Sequence, residues 1–240
     1  EVKEKEEKAV SEIKDAFFFF FYDIAALIIE PIQGEGGDNH FRNDFFKELR
    51  RLCDENDCMF MVDEVQSGMG LTGKMWAHEH FDFKPDILAF GKKSQVCGIM
   101  VGEKVDEIKD NVFTVPSRLN STWGGNIVDM FRCQKYLEII KKDKLVKNAK
   151  IQGKRLLESL EELSEKYPEK IHNARGRGLM CAFDCNTPEK RDELLKIIYK
   201  NGAILVGCGS NTIRFRPPLV IDSQEVDELS DIIDKSLKSF

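Results

Sequence analysis

Short continuous apolar runs alternate along the chain with stretches whose apolar residues return every three or four positions, a pattern that predicts strands and helices in turn. Ala25-Ala26-Leu27-Ile28-Ile29 reads as a first strand, and Pro31 with Gly34, Gly36 and Gly37 marks the next stretch as a loop. Phe45, Phe46, Leu49 and Leu52 share one face of a helix predicted from about Asn43 to Asn56. Met59-Phe60-Met61-Val62 then leads into Asp63, and Asp86-Ile87-Leu88-Ala89-Phe90 leads into Gly91 and Lys92. Continuous apolar strands separated by a helix predict a mostly parallel sheet covered on both faces, with functional groups gathered at the carboxyl ends of its strands.

From Ile127 the periodicity becomes helical. Helices are predicted over Ile127 to Lys142, Leu145 to Lys166, Pro188 to Asn201 and Ser223 to Ser239, with strands over Gly178 to Asp184, Ala203 to Val206 and Thr212 to Phe215. Ser223 is the expected N-cap of the last helix, without a complete capping box. The fold class is therefore α/β, with part of a large domain over residues 1–126 and a small α+β domain over 127–240. The chain opens on a charged helical stretch, Glu1 to Asp15, without an initiator methionine, and we expect it to be the C-terminal part of a longer polypeptide. Phe17 to Phe21, five phenylalanines in a row, would be an aggregation hazard if exposed.

At 240 residues, 42% hydrophobic and 32% charged, the sequence can build a core and one or two domains. A net charge of −6 argues against nucleic acid as the main partner, because phosphate binding needs a concentrated basic face. Seven cysteines with no C-x-x-C pair fit reduced thiols better than a disulfide framework or zinc site, which predicts a cytoplasmic protein. No apolar stretch reaches the length of a membrane span.

Lys92 follows Asp63 by 29 positions, each just beyond an apolar run. A carboxylate and a lysine delivered to neighbouring strand tips suggest pyridoxal phosphate (PLP): the lysine holds the cofactor as an imine and the acid keeps the pyridine nitrogen protonated. By spacing alone such an acid is as often structural as catalytic, and Lys93 competes with Lys92. Gly68-Met69-Gly70-Leu71-Thr72-Gly73 matches G-x-G-x-x-G literally, but it does not directly follow a strand, and Asp86 begins a strand instead of ending one. His78-Glu79-His80 lacks the i, i+4 spacing of a zinc helix and reads as a polar helical segment. Asn120-Ser121-Thr122 matches a glycosylation sequon that a reduced intracellular chain would not use.

The series EPIQGEGGDNHF, VDEVQSGMGLTG, WAHEH, FGKKSQVCG, PSRLNSTWGGN, GRGLMCAFD and IRFRPPL resembles the class III aminotransferases of PLP fold type I, from about Asp23 to the C-terminus. Within that class the likeness is to the lysine 6-aminotransferases. The 4-aminobutyrate enzymes share several of these segments but differ around the lysine and around NSTWGGN.

The resemblance implies roles by position. Lys92 is the Schiff-base lysine, since related motifs place it directly after Phe-Gly. Asp63 contacts the pyridine nitrogen, Val65 packs on a ring face and Gln66 bonds the phenolic oxygen. Asn120, Ser121 and Thr122 reach the neighbouring subunit's site, Thr122 donating to the phosphate, which implies a homodimer with shared active sites. Arg214 receives the 2-oxoglutarate carboxylate, Glu35 is the carboxylate that covers Arg214 while the amino donor is bound, and Arg216 is structural. The implied reaction moves the ε-amino group of L-lysine to 2-oxoglutarate. The alternatives are a 4-aminobutyrate or other ω-amino acid transaminase, and a catalytically silent piece that serves only in dimerisation. A phosphate-binding turn, a ring-stacking aromatic and a second carboxylate-binding arginine belong to an N-terminal half that the sequence does not contain.

Overall fold

The computed structural model describes residues 1–119, 122 and 124–240. In chain order the helices are α1 (Val2–Phe19), α2 (Asn43–Glu55), α3 (Glu103–Asp106), α4 (Ile127–Lys142), α5 (Leu145–Lys166), α6 (Pro188–Asn201) and α7 (Ser223–Ser239). The strands are β1 (Ala26–Ile29), β2 (Ile32–Gln33), β3 (Asn39–His40), β4 (Met59–Asp63), β5 (Ile87–Phe90), β6 (Gly98–Val101), β7 (Ile171–Arg177), β8 (Met180–Cys185), β9 (Val206–Cys208) and β10 (Thr212–Phe215). They form two compact units interleaved along the chain, one of residues 1–31, 41–66 and 77–137, the other of 32–40, 67–76 and 138–240.

The first unit holds the sheet β1-β4-β5-β6. β4 runs parallel to β1 and to β5, and β6 returns antiparallel on the edge. Phe45, Phe46, Leu49 and Leu52 of α2 are buried with Phe60 and Cys53, as their helical spacing requires. The sheet is not covered on both faces as the continuous apolar runs suggest: β4 alternates buried Phe60 and Val62 with half-buried Met59, Met61 and Asp63, and Ile28 of β1 is exposed. The phenylalanine run also divides. α1 continues to Phe19, which places Phe17 in the α2 cluster, while Phe18 to Phe21 are exposed.

The second unit packs α5, α6 and α7 on the antiparallel sheet β7-β8-β10-β9. Leu156, Leu160 and Leu163 of α5 meet Phe183, Ile213 and Phe215 from the strands and Ile233 and Leu237 from α7. Gly178, at the β7–β8 turn, has φ +55°, and a Cβ there would stand 2.4 Å from the backbone carbon of Thr72. The Gly68 to Gly73 segment therefore lies against this turn, tied by Leu179 N–H donating to the Leu71 carbonyl at 2.9 Å. The N-cap of α7 is Asp222, not Ser223, and its capping box is complete: Asp222 accepts from Glu225 N–H at 2.9 Å and Glu225 accepts from Asp222 N–H at 3.0 Å. No described helix is long and apolar enough to cross a membrane.

Candidate active site

In the first unit the carboxyl ends of β4 and β5 lie side by side, because Asp63 pairs with Ala89 and Glu64 N–H extends the ladder to the Ala89 carbonyl at 2.9 Å. Beyond that point both chains turn. Asp63 Oδ1 accepts from Val65 N–H at 2.9 Å, closing a local Asx turn, and no described residue bonds its Oδ2. Glu64, fully buried, accepts from the N–H groups of Ala77 at 2.5 Å and His78 at 2.8 Å and from His78 Nδ1 at 2.8 Å. The histidine-rich segment Ala77–His80 is thus a 3₁₀ turn held by Glu64.

Opposite this turn Gly91 leads into a second 3₁₀ turn, Lys92–Ser94. Lys92 has φ +51° and Gln95 φ +60°, left-handed conformations that cost non-glycine residues about 1 kcal/mol or more and that cluster where geometry serves function. Lys92 is exposed, and its ammonium has no partner among the described residues. Lys93 is half-buried, and its ammonium donates to the Gln66 carbonyl. Val65 flanks the same turn, 3.5 Å from where a Gly91 Cβ would stand. The structure therefore gathers Asp63, Val65, Gln66 and Lys92 at one sheet end. Thr122 is exposed, and Asn120 and Ser121 lie outside the described residues.

The second unit carries a different arrangement. Glu35 stands on the loop between β2 and β3, and Arg214 on β10. Their side chains approach to 2.7 Å, Arg214 Nη1 to Glu35 Oε2, with Arg214 16% exposed and Glu35 71%. The contact is an ion pair by distance, but the buried Arg214 Nε and Nη1 hydrogens find no well-directed acceptor. That leaves a largely buried guanidinium with donor capacity for a further carboxylate, beside a solvent-facing acid.

The loop is held by groups that sequence reading passed over. Arg175 donates through Nε to the Asp38 carbonyl at 2.9 Å and through Nη2 to the Gly37 carbonyl at 2.6 Å. The same Nη2 meets Asp184 Oδ1 at 2.8 Å, where Thr212 Oγ1 also donates at 2.6 Å, and Asn173 Nδ2 reaches Asp184 Oδ2 at 2.7 Å. Arg216 pairs with the buried Asp38 carboxylate and so anchors the loop as well. Gly209 N–H donates to the Glu35 carbonyl at 2.8 Å, and a Cβ on Gly209 would lie 2.8 Å from Gly37 Cα. The available signal was Asp184 itself, an acid closing an apolar strand.

The mostly parallel sheet with flanking helices is the fold of the fold type I pyridoxal-phosphate aminotransferases. The chain belongs to the class-III aminotransferases, whose family model matches residues 1–237. It is 50% identical to the L-lysine-epsilon aminotransferase of Mycobacterium tuberculosis (strain ATCC 25618 / H37Rv) over 92% of its own length and 49% of that protein's. It is 45% identical to that of Streptomyces clavuligerus (94% and 50% covered) and 38% identical to human mitochondrial 4-aminobutyrate aminotransferase (100% and 48%). The solved structure of lysine aminotransferase from M. tuberculosis in the internal aldimine form superposes with TM-score 0.95 at 48% identity, over 98% of this chain and 54% of that one. A transaminase from the marine bacterium Virgibacillus gives TM-score 0.90 at 27% identity, with 98% and 57% covered. The chain spans about half the length of the curated relatives it matches.

The family's cofactor is pyridoxal phosphate, and the residues present fit the part of it they face. Among the described residues Asp63 Oδ2 has no donor and could accept a ring N–H, and the Lys92 amine has no partner.

Proposed function

We propose that the chain carries the catalytic lysine of an aminotransferase that moves the ε-amino group of L-lysine to 2-oxoglutarate, giving 2-aminoadipate 6-semialdehyde and glutamate. The observation that carries the reading is the pair of strand tips: among the described residues, one Asp63 carboxylate oxygen and the Lys92 ammonium both lack a partner. Bound pyridoxal phosphate supplies an electron sink that stabilises negative charge on the carbon bearing the amine. Asp63 holds the proton on the ring nitrogen, which makes that sink effective. Val65 would pack against one face of the cofactor ring, and the Gln66 amide would hydrogen-bond its phenolic oxygen. Lys92 Nζ takes the proton from the amine-bearing carbon and returns it across the reacting system, a task for a mobile amine on a short turn.

Arg214 takes the 2-oxoglutarate carboxylate through its planar fork. Glu35 covers Arg214 while lysine reacts and swings out for the dicarboxylate. Its high exposure beside a buried guanidinium supports that alternation. Asn120, Ser121 and Thr122 complete the phosphate cup of a second subunit in a homodimer. The apolar surface of α4, in which no residue is buried and Ile127, Val128 and Phe131 are exposed, supports a partner next to that segment. The preference for lysine over 4-aminobutyrate rests on the higher identity to the lysine enzymes.

The test is borohydride reduction of the purified chain with pyridoxal phosphate, peptide mass spectrometry, and glutamate formation from 2-oxoglutarate with each donor. A stoichiometric phosphopyridoxyl group on Lys92 and faster glutamate release with L-lysine are expected. Label on Lys93, or none, overturns the assignment of the lysine, and a preference for 4-aminobutyrate overturns that of the donor.

A further inference from the structure

The two turns that present Asp63 and Lys92 leave the β4–β5 ladder at the Glu64 N–H to Ala89 carbonyl bond. Past it, they are joined through a side chain: Lys93 Nζ donates to the Gln66 carbonyl at 2.5 Å. The bond spans 27 residues of sequence and joins the last residue of the Asp63–Gln66 turn to the residue next to Lys92. In a 3₁₀ turn successive side chains point about 120° apart, so fixing one fixes the heading of its neighbour. Lys93 is half-buried and tied down, whereas Lys92 projects outward with no described partner. The backbone around them is already closed, with Gln95 N–H donating to the Lys92 carbonyl at 2.9 Å and Ser94 Oγ donating to the Val96 carbonyl at 2.6 Å. With the turn closed internally, the position of the Lys92 Cα relative to β4 is set by how the whole turn sits, and its flexible side chain works from that origin.

We propose that Lys93 is a positioning residue, whose ammonium clamps the Gln66 carbonyl and thereby sets the distance and heading of Lys92 relative to Asp63 and the Gln66 amide. The inference rests on the proposed roles of Lys92 and Asp63 toward the cofactor. It assigns the doublet Lys92-Lys93 two separate tasks: one amine meets the cofactor's aldehyde carbon, the other holds the turn that carries the first. A chain without the clamp keeps every group that would touch the cofactor but lets the two tips drift, so capture of the aldehyde by Lys92 becomes slower and less complete. The clamp needs a cationic donor of sufficient reach. Arginine keeps one, and methionine keeps the stem's packing while removing it.

The experiment compares the wild-type chain with Lys93→Met and Lys93→Arg. Pyridoxal phosphate affinity is read by absorbance titration, the labelled lysine by borohydride trapping and peptide mass spectrometry, and the fold by thermal melting without cofactor. Lys93→Met is expected to bind about tenfold more weakly, as loss of the charge-assisted hydrogen bond to Gln66 implies, and to show less label on Lys92 at saturating cofactor, with a melt that stays cooperative and falls by only a few degrees. Lys93→Arg is expected to restore both. If Lys93→Met titrates and labels like the wild type, the positioning role is wrong while the assignment of Lys92 stands. If Lys93→Met loses its fold, or Lys93→Arg fails to rescue, Lys93 serves folding and the inference falls. If the wild type itself is unlabelled at Lys92, the underlying reading fails first, and the inference with it.

Discussion

Asp184→Asn tests how the loop bearing Glu35 is held. The carboxylate accepts from Arg175, Thr212 and Asn173, and Arg175 in turn donates to the Gly37 and Asp38 carbonyls of that loop. Asparagine keeps one acceptor oxygen but turns an NH₂ group toward donors, so at least one of the three bonds is lost and the arginine loses its charge partner. Charge-assisted hydrogen bonds are each worth about 1.5–3 kcal/mol, and part of the loss is recovered because a neutral amide costs less to bury. The net destabilisation is about 2–3 kcal/mol, a melting temperature lower by about 5–10 °C for a chain of this size. The pH dependence gives a second reading. Burial pushes the Asp184 carboxyl up, but the bonds from Arg175, Thr212 and Asn173 outweigh it and hold the group below the ordinary carboxylate range. The folded chain thus gives up this proton more readily than the unfolded one. Its stabilisation is full above the unfolded value of about 3.9 and is lost as pH falls below that toward the folded value. Thermal melts of wild type and Asp184→Asn at pH 7 and at stepped pH values below 4 should show a gap that closes with acid. A gap under about 1 °C at pH 7, or one that stays constant into acid, would refute the account.

Other substitutions probe separate features. Asp86→Ala strips the 2.8 Å ion pair from the largely buried Arg50 and the 2.7 Å bond from Phe60 N–H, and should cost about 3 kcal/mol in urea unfolding. Gly178→Ala puts a Cβ 2.6 Å from the Leu71 carbonyl oxygen at a residue with φ +55°, so a loss of about 3 kcal/mol or more is expected, read as a lower denaturation midpoint. Burial pushes the thiols of Cys53, Cys181 and Cys185 up to about 12, whereas Cys97 is exposed. Iodoacetamide at pH 8 should therefore modify Cys97 quickly and reach those three only as the chain unfolds, as peptide mapping over time would show.

Periodicity made most of the framework readable, and its failures have physical causes. α2, α5, α6 and α7 announce themselves through apolar faces of several turns, and β4 and β5 through unbroken apolar runs. β7 escaped notice because Ile171-His172-Asn173-Ala174-Arg175-Gly176-Arg177 carries one fully buried apolar side chain; pairing with β8 and the bonds of Arg175 hold it, and neither leaves a local signature. β6 was missed as a four-residue antiparallel edge, and β9 begins at Val206, where the run from Ala203 ends, because its register is set by pairing with β10. Cover on both sheet faces was inferred from apolar runs, but a run reports that a strand can be buried, not that another element is present to bury it.

The candidate site shows the same limit in a sharper form. An acid stands at the carboxyl end of an apolar strand both at Asp63 in β4 and at Asp184 in β8, and nothing in the local sequence separates the two. The structure separates them by counting donors. Asp184 has both oxygens engaged, by an arginine, a threonine and an asparagine that lie 9, 28 and 11 residues away, so its charge is spent within the fold. Asp63 gives one oxygen to its own turn and leaves the other without a bond from any described residue, beside a turn whose Lys92 ammonium has no partner among the described residues. A carboxylate desolvated and fully bonded stabilises a fold. One with acceptor capacity unused among the described residues can take a further donor, and that difference, set by residues remote in sequence, makes Asp63 the acid to test with the cofactor and Asp184 the acid to test with acid and heat.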